Sequence, residues 1–268
     1  MILSTSVISD AAEALFMAEQ NRTQIGILYQ QHPSMTMEDA YAIQNALKER
    51  KLAARRSIIG WKISLTSKAM QQALGIEIPD SGVLFDDMLF ENGASIPKDR
   101  FIQPRIEAEI AFVMKADLDT DGVTRESVLA ATDYVAPSLE ILDTRIIRKD
   151  AETGAIRKVT DTIADNAANA GLVLGSIRHD INEVDLRWTG AIVTRNGDVE
   201  ETGLGAGVLN DPVESVVWLA RRMAGYGQKI RAGDIILSGS FIRPVECPPG
   251  ADIKADFGSF GEVSCCFG

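Results

Sequence analysis

In Arg105-Ile106-Glu107-Ala108-Glu109-Ile110-Ala111-Phe112-Val113-Met114, an apolar run carrying two carboxylates reads as a β-strand. Residues two apart in a strand share a face, so Glu107 and Glu109 point the same way, roughly 7 Å apart along the chain. Two oxygen ligands so placed suit a hard divalent cation such as Mg²⁺ or Mn²⁺. An amphipathic strand whose charged face meets water accounts for the same residues. A second strand-like run, Tyr134-Val135-Ala136-Pro137-Ser138-Leu139-Glu140-Ile141-Leu142, carries Glu140 among apolar neighbours. A carboxylate there is costly to bury unless it is paired or bound to metal. A salt bridge to a nearby arginine such as Arg145 is one explanation. The other is a three-carboxylate site without histidine, octahedral and open to substrate and water.

Around these strands the chain reads as an N-terminal helical segment, residues 1–57, leading into a β-rich catalytic core, residues 58–268. Ser9 to Asn21 and Thr36 to Arg55 are predicted helices; Thr36 and Asp39 resemble a capping box. From Ile58 onward short β-type runs alternate with Gly, Pro, Asn and Asp. Predicted strands are 58–65, 105–114, 134–141, 172–174, 188–195, 234–237, 253–257 and 263–267. Asn196-Gly197 marks a hairpin turn. Pro212 to Met223 is predicted helical with Val216, Trp218 and Leu219 inward. In the run from Lys158 to Gly171, Asp165 or Asn166 is expected to cap a small-residue helix. The expected fold class is α+β.

The composition narrows the function. With 268 residues, 46% apolar and 24% charged, the chain can bury a full-sized core. A formal net charge of -11 argues against nucleic acid, which needs a basic face. No apolar run approaches the roughly 20 residues of a membrane span. Met1 to Asp10 has no basic n-region, so no export and a cytoplasmic location are expected. Three cysteines, Cys247, Cys265 and Cys266, are too few for a disulfide framework. Two histidines, His32 and His179, exclude a three-histidine zinc site. The chemistry therefore rests on Lys, Asp and Glu.

Lys62, in Gly60-Trp61-Lys62-Ile63-Ser64-Leu65-Thr66-Ser67, alternates with apolar residues and is either half-buried with a tunable pKa or solvent-facing. Asp80, in Pro79-Asp80-Ser81-Gly82, is an ordinary turn residue by spacing alone. Taken with Pro104-Arg105-Ile106-Glu107-Ala108-Glu109 and Asp161-Thr162-Ile163-Ala164-Asp165-Asn166, these motifs resemble the 2-oxopent-4-enoate hydratase family of the fumarylacetoacetate hydrolase superfamily. The resemblance covers nearly the whole chain. Asp165-Asn166-Ala167-Ala168-Asn169-Ala170-Gly171 and Gly239-Ser240-Phe241-Ile242-Arg243-Pro244-Val245 most resemble members that act on the seven-carbon 2-oxohept-4-ene-1,7-dioate in homoprotocatechuate breakdown. Trp61 and Ser81 depart from the pattern, which bears on the substrate's side chain more than on the reaction.

The resemblance implies a mixed β-roll core, Mg²⁺ or Mn²⁺ on Glu107, Glu109 and Glu140, and Lys62 and Asp80 as acid and base. It implies addition of water to C4 of a 2-oxo-4-enoic acid. It also implies a homo-oligomer, plausibly a decamer, and association with a related decarboxylase. A distal carboxylate needs a cation, for which Arg145, Arg148, Arg157 and Lys158 are candidates, and Ser240 is either a substrate donor or a simple turn serine. A 2-hydroxypenta-2,4-dienoate hydratase, a 2-oxo-3-enedioate decarboxylase, a diketone hydrolase and a catalytically idle partner of a decarboxylase are the rival readings.

Overall fold

The chain opens with α1 (Thr5–Asn21), α2 (Leu28–Gln31) and α3 (Met37–Ala53), in a computed structural model that describes residues 1–68, 71, 72, 78–118 and 122–268. Ser4 caps α1 by accepting from the Val7 N–H, so the helix starts at Thr5 rather than the expected Ser9. The capping box of α3 is present: Thr36 Oγ1 accepts from the Asp39 N–H, and Asp39 Oδ2 accepts from the Thr36 N–H. Asp39 also accepts from the N–H groups of Ile2 and Leu3, tying the N-terminus to α3. Ile8 and Leu15 of α1 and Ile43 and Leu47 of α3 bury their apolar faces against Ile146 and Ile163.

The remaining elements are β1 (Ile58–Ser64), β2 (Asp80–Phe85), β3 (Leu89–Phe90), β4 (Ala94–Ile96), β5 (Arg105–Met114), α4 (Arg125–Ala131), β6 (Thr132–Leu142), α5 (Val159–Ala164), β7 (Asn169–Leu174), β8 (Gly190–Arg195), β9 (Asp198–Leu204), α6 (Pro212–Ala224), β10 (Ile235–Leu237), β11 (Val245–Glu246), β12 (Asp252–Asp256) and β13 (Glu262–Phe267). The larger sheet runs β2-β1-β10-β5-β6-β7-β3, with β11 beside β5; the smaller runs β4-β13-β12-β8-β9. The larger sheet is mixed, with β1–β10 and β3–β7 parallel and β5 antiparallel to β6, β10 and β11. This is the α+β architecture expected.

Strand alternation sorts β5 into two faces. Ile106, Ala108, Ile110 and Phe112 join Leu139 and Ile141 of β6, Val193 of β8, Ile253 of β12, Val263 of β13 and Leu219 of α6 in the main apolar core. Glu107 and Glu109 therefore lie on the opposite face. α6 begins with Asp211 as cap and Pro212 in the first turn; Val216 and Leu219 are buried, whereas Trp218 is only partly so. Asn196-Gly197 closes the β8–β9 hairpin as predicted.

One expectation is overturned. Asp165 and Asn166 cap no small-residue helix. Asp165 ends α5, and Asn166, Ala167 and Ala168 all adopt left-handed backbone conformations before β7 begins at Asn169. Non-glycine residues pay roughly 1–2 kcal/mol each for that conformation, so tertiary contacts must hold it. Asn166 supplies them: its Oδ1 accepts from the Val83 N–H at 2.8 Å and its Nδ2 donates to the Val83 carbonyl at 2.9 Å. Gly82 permits this approach, because a Cβ there would lie 2.6 Å from the Asn166 carbonyl oxygen. No helix among the described residues is long and apolar enough to cross a membrane.

Candidate active site

Register brings the carboxylates together. β5 and β6 pair antiparallel with Glu107 directly opposite Glu140 and Glu109 opposite Ser138. One carboxylate oxygen from each of Glu107, Glu109 and Glu140 lies within 4.8 Å of the others. Glu109 and Glu140 are fully buried, and each commits one oxygen to the protein. Glu109 Oε2 accepts from the Gly239 N–H at 2.7 Å. Glu140 Oε1 accepts from Asn169 Nδ2 at 2.7 Å and lies 3.1 Å from Lys62 Nζ. Glu109 Oε1 and Glu140 Oε2 are buried without a hydrogen-bond partner among the described residues.

Two orphaned carboxylate oxygens in an apolar sheet are unfavourable unless a cation meets them. Burial, reinforced by the Glu140 charge, pushes the Glu107 carboxyl up to about 8 and raises Glu109 well above the usual range. Three acidic oxygens with no thiolate or imidazole suit a hard divalent cation, so the residues present fit the expected metal. Gly239 is required where it stands: at φ +111 its N–H reaches Glu109, and a Cβ would lie 2.5 Å from Thr66 Oγ1.

Lys62 sits on β1, fully buried, and donates to Ser64 Oγ as well as contacting Glu140. Burial alone lowers an ammonium's pKa, but Glu140, Asp80, Glu107 and Glu109 outweigh it and raise that of Lys62. The buried, charged alternative is thus the one realised, not the solvent-facing one. Asp80 is no turn residue: it begins β2 opposite Ser64 and is buried, and neither carboxylate oxygen has a partner among the described residues. Burial raises its pKa against the opposing pull of Lys62.

A cavity of about 670 Å³ opens onto this cluster, with Lys62, Asp80 and Glu107 in its wall. Lys158 and Ser240 also line it. Ser240 Oγ donates to the Ile242 carbonyl at 2.9 Å and accepts from the Ile242 N–H, so its hydroxyl closes its own turn. Lys158 Nζ lies 5.8 Å from the centre of the Tyr29 ring.

Arg145 does not belong to this wall, and its expected role as a clamp is corrected. It is buried, its Nε donates to Asp165 Oδ1, its Nη2 to the Asp165 carbonyl and its Nη1 to the Asn169 carbonyl at 3.0 Å. Those bonds occupy its guanidinium in holding the left-handed turn. Sequence reasoning also passed over Asn169, read only as part of an alanine-rich run, and the Gly239 backbone N–H. No side-chain signal marks the latter.

No family model matches the chain, but whole-length relatives do. It is 49% identical over 256 residues, 96% of each chain, to a 2-oxo-hept-4-ene-1,7-dioate hydratase of Escherichia coli. The chain belongs to the 2-oxopent-4-enoate hydratase family. A 2-keto-4-pentenoate hydratase of Paraburkholderia xenovorans, another such relative, is 41% identical over 95% of this chain and 92% of its own. The fold is shared with a 4-oxalocrotonate decarboxylase of Pseudomonas putida complexed with magnesium and adipate (TM-score 0.92, 35% identity, 99% of this chain and 98% of that one). This chain and that decarboxylase thus share one scaffold.

Proposed function

We propose that the chain is a divalent-metal-dependent hydratase that adds water to C4 of a 2-oxo-4-enoic acid, converting 2-oxohept-4-ene-1,7-dioate to 4-hydroxy-2-oxoheptanedioate. The observation that carries the reading is the buried Lys62, held 3.1 Å from Glu140 with Asp80 beside it in the same cavity. Glu107, Glu109 and Glu140 would hold Mg²⁺ or Mn²⁺, which when bound supplies Lewis-acid polarisation of the 2-oxo group. The magnesium complex of the related decarboxylase and the 49% identity to a hydratase support this reading.

Hydration needs two proton relocations. One proton leaves C3 and one reaches C5, which moves the double bond into conjugation with the 2-oxo group. Water then adds at C4, its proton released, and C3 is protonated again. Asp80, with burial raising its basicity and neither oxygen hydrogen-bonded among the described residues, takes the C3 proton and returns it to C3 at the end. Lys62, kept charged by the surrounding carboxylates, gives a proton to C5 and recovers one from the adding water, so both groups end as they began. Each such transfer contributes typically 10²–10⁴-fold. Asn169 and the Gly239 N–H orient Glu140 and Glu109. A cytoplasmic location is part of the same proposal, as is a homo-oligomer, which the exposed Trp188, Ile192 and Leu204 around β8 and β9 support.

The second reading is decarboxylation, favoured by the likeness to the Pseudomonas putida enzyme. Mass analysis of the products from 2-oxohept-4-ene-1,7-dioate and from 2-oxohex-3-ene-1,6-dioate, each with Mg²⁺, separates the two, because only the second can delocalise the electron pair left by CO₂ into its 2-oxo group. Gain of one water by the first is expected; release of CO₂ from the second with no hydration of the first would replace the hydratase assignment.

A further inference from the structure

A second cavity, of about 500 Å³, lies on the other face of the β1–β2 pair. Strand alternation sends Lys62 and Asp80 into the catalytic cavity and their chain neighbours Trp61 and Ser81, with Val83, into this one. Trp61 and Ser81, the two departures from the family pattern, are thus walls of this cavity and not of the catalytic one. The opposite wall comes from α3, with Tyr41 and Lys48, and from the end of α6, with Arg222 and the following Tyr226. The half-buried Arg222 guanidinium carbon lies 3.9 Å from the centre of the Tyr41 ring, 5.2 Å from that of Tyr226 and 5.7 Å from that of Trp218. Three aromatic contacts therefore fix a guanidinium that makes no ion pair and no hydrogen bond among the described residues. The other charges of the wall are engaged. Glu38 Oε2 accepts from the Met1 amine at 2.7 Å, and Lys48 Nζ donates to Asn45 Oδ1 at 2.6 Å and lies 3.3 Å from Glu49 Oε1.

We infer that this cavity is a second binding site, for a planar aromatic carboxylate, with Arg222 as the group that receives the carboxylate. The inference is independent of the hydratase reading. The volume is that of a small-molecule site. A cation held by ring faces keeps its N–H edge for a ligand, and a guanidinium pairs two N–H donors with one carboxylate. Fixing a long side chain ahead of binding also removes part of the entropy that binding would otherwise cost. The rings of Tyr41, Trp61 and Tyr226, with the buried Val83 and Met223, offer an aromatic body apolar and stacking surface. One unengaged cation answers one negative charge, which favours a monocarboxylate over a phosphate dianion in a chain of net charge -11.

The test is calorimetric titration of the full, metal-free chain with benzoate, benzamide and acetate, so that no cation at the carboxylate triad attracts the probe. Benzoate is expected to bind one site per chain. It should bind roughly 10-fold or more tightly than benzamide, which lacks the charge, or acetate, which lacks the ring. Arg222→Gln should weaken benzoate binding by roughly 10-fold or more, the effect of one hydrogen bond to a charged group. Arg222→Lys, which keeps the charge and loses the paired donors, should bind benzoate severalfold more weakly than the wild type, and it serves alone if Arg222→Gln does not fold. Arg148→Gln, in the wall of the catalytic cavity, should leave benzoate binding as it is. Equal affinities in the wild type and in the folded Arg222 variants overturn the site. Loss in Arg148→Gln with retention in Arg222→Gln also overturns it, by moving benzoate to the catalytic cavity. No benzoate binding at all, with Tm lowered by Arg222→Gln, overturns it too and leaves Arg222 as a strut between α3 and α6.

Discussion

Lys62 Nζ lies 3.1 Å from Glu140 Oε1, and both side chains are almost completely buried. The ammonium would share Glu140 with any cation the triad held, so the proposed proton-transfer group and the proposed metal cluster would form one electrostatic unit. Substituting Lys62 by Met should lower kcat by roughly 10²–10⁴. Mg²⁺ affinity should not weaken, since a repelling charge is removed. Steady-state kinetics and a Mg²⁺ titration check this together. A change confined to KM would reassign Lys62 to substrate binding.

As a metal site, the triad would trade stability for cation binding. In Glu109→Gln one of three crowded acidic groups becomes neutral, which relieves like-charge repulsion in the metal-free protein. Its Tm without metal should rise above that of the wild type, while the increase produced by Mg²⁺ should disappear. Calorimetric scans with EDTA and with Mg²⁺ decide the matter. A full Mg²⁺ shift in the variant removes Glu109 from the metal site.

The pH dependence follows from the raised carboxyls. Glu107 titrates at about 8 in the folded protein against 4.5 ordinarily, so between those values the folded state binds the extra proton. Stability of the metal-free protein should therefore be greatest below pH 4.5 as far as this group is concerned, and that contribution is lost as pH rises through 8. Cation binding requires the deprotonated form, so apparent Mg²⁺ affinity should increase over the same window. The Mg²⁺-induced gain in Tm should be larger at pH 8 than at pH 6; a pH-independent gain would falsify the coupling.

Arg145 is expected to act on stability and not on substrate preference. Removing Asp165 leaves a buried guanidinium without its partner, which costs on the order of 3–5 kcal/mol. Asp165→Ala should lower the urea midpoint accordingly, and Arg145→Met, which leaves Asp165 buried and unpaired, should do likewise. Neither should reduce the ratio of kcat/KM for 2-oxohept-4-ene-1,7-dioate to that for 2-hydroxypenta-2,4-dienoate in whatever folded protein remains. A fall in that ratio for Arg145→Met would restore the clamp role.

Gly239→Ala forces a Cβ onto Thr66 and strains a backbone at φ +111, displacing the N–H that Glu109 accepts. Mg²⁺ affinity should drop severalfold or more while Lys62 and Asp80 remain in place. Thr66→Ser, which removes the methyl carbon lying 2.6 Å from the built Cβ, should recover part of it. Unaltered Mg²⁺ binding in Gly239→Ala would show that Glu109 needs no backbone donor.

Local periodicity was enough to read β5 from Arg105 to Met114 and to place Glu107 and Glu109 on one face, because a strand repeats every two residues whatever surrounds it. The cost of burying a charge singled out Glu140, and the α3 capping box and the β8–β9 turn are likewise local chemistry. Only the tertiary structure decided the rest. Register across separate strands sets Glu107 against Glu140, and the order β2-β1-β10-β5-β6 carries Asp80 and Lys62 to them from far upstream in the chain. The alanine-rich run after Asp165 has helical composition, yet Asn166 bonds to Val83 and turns it left-handed, a long-range contact that overrides propensity. Nearness in sequence grouped Arg145 with Arg148, Arg157 and Lys158 as cations for the substrate. Folding leaves the last three in the cavity wall, buries Arg145 with Asp165 and adds Arg105 from β5, because charges are placed by where backbones cross as well as by how they cluster along the chain.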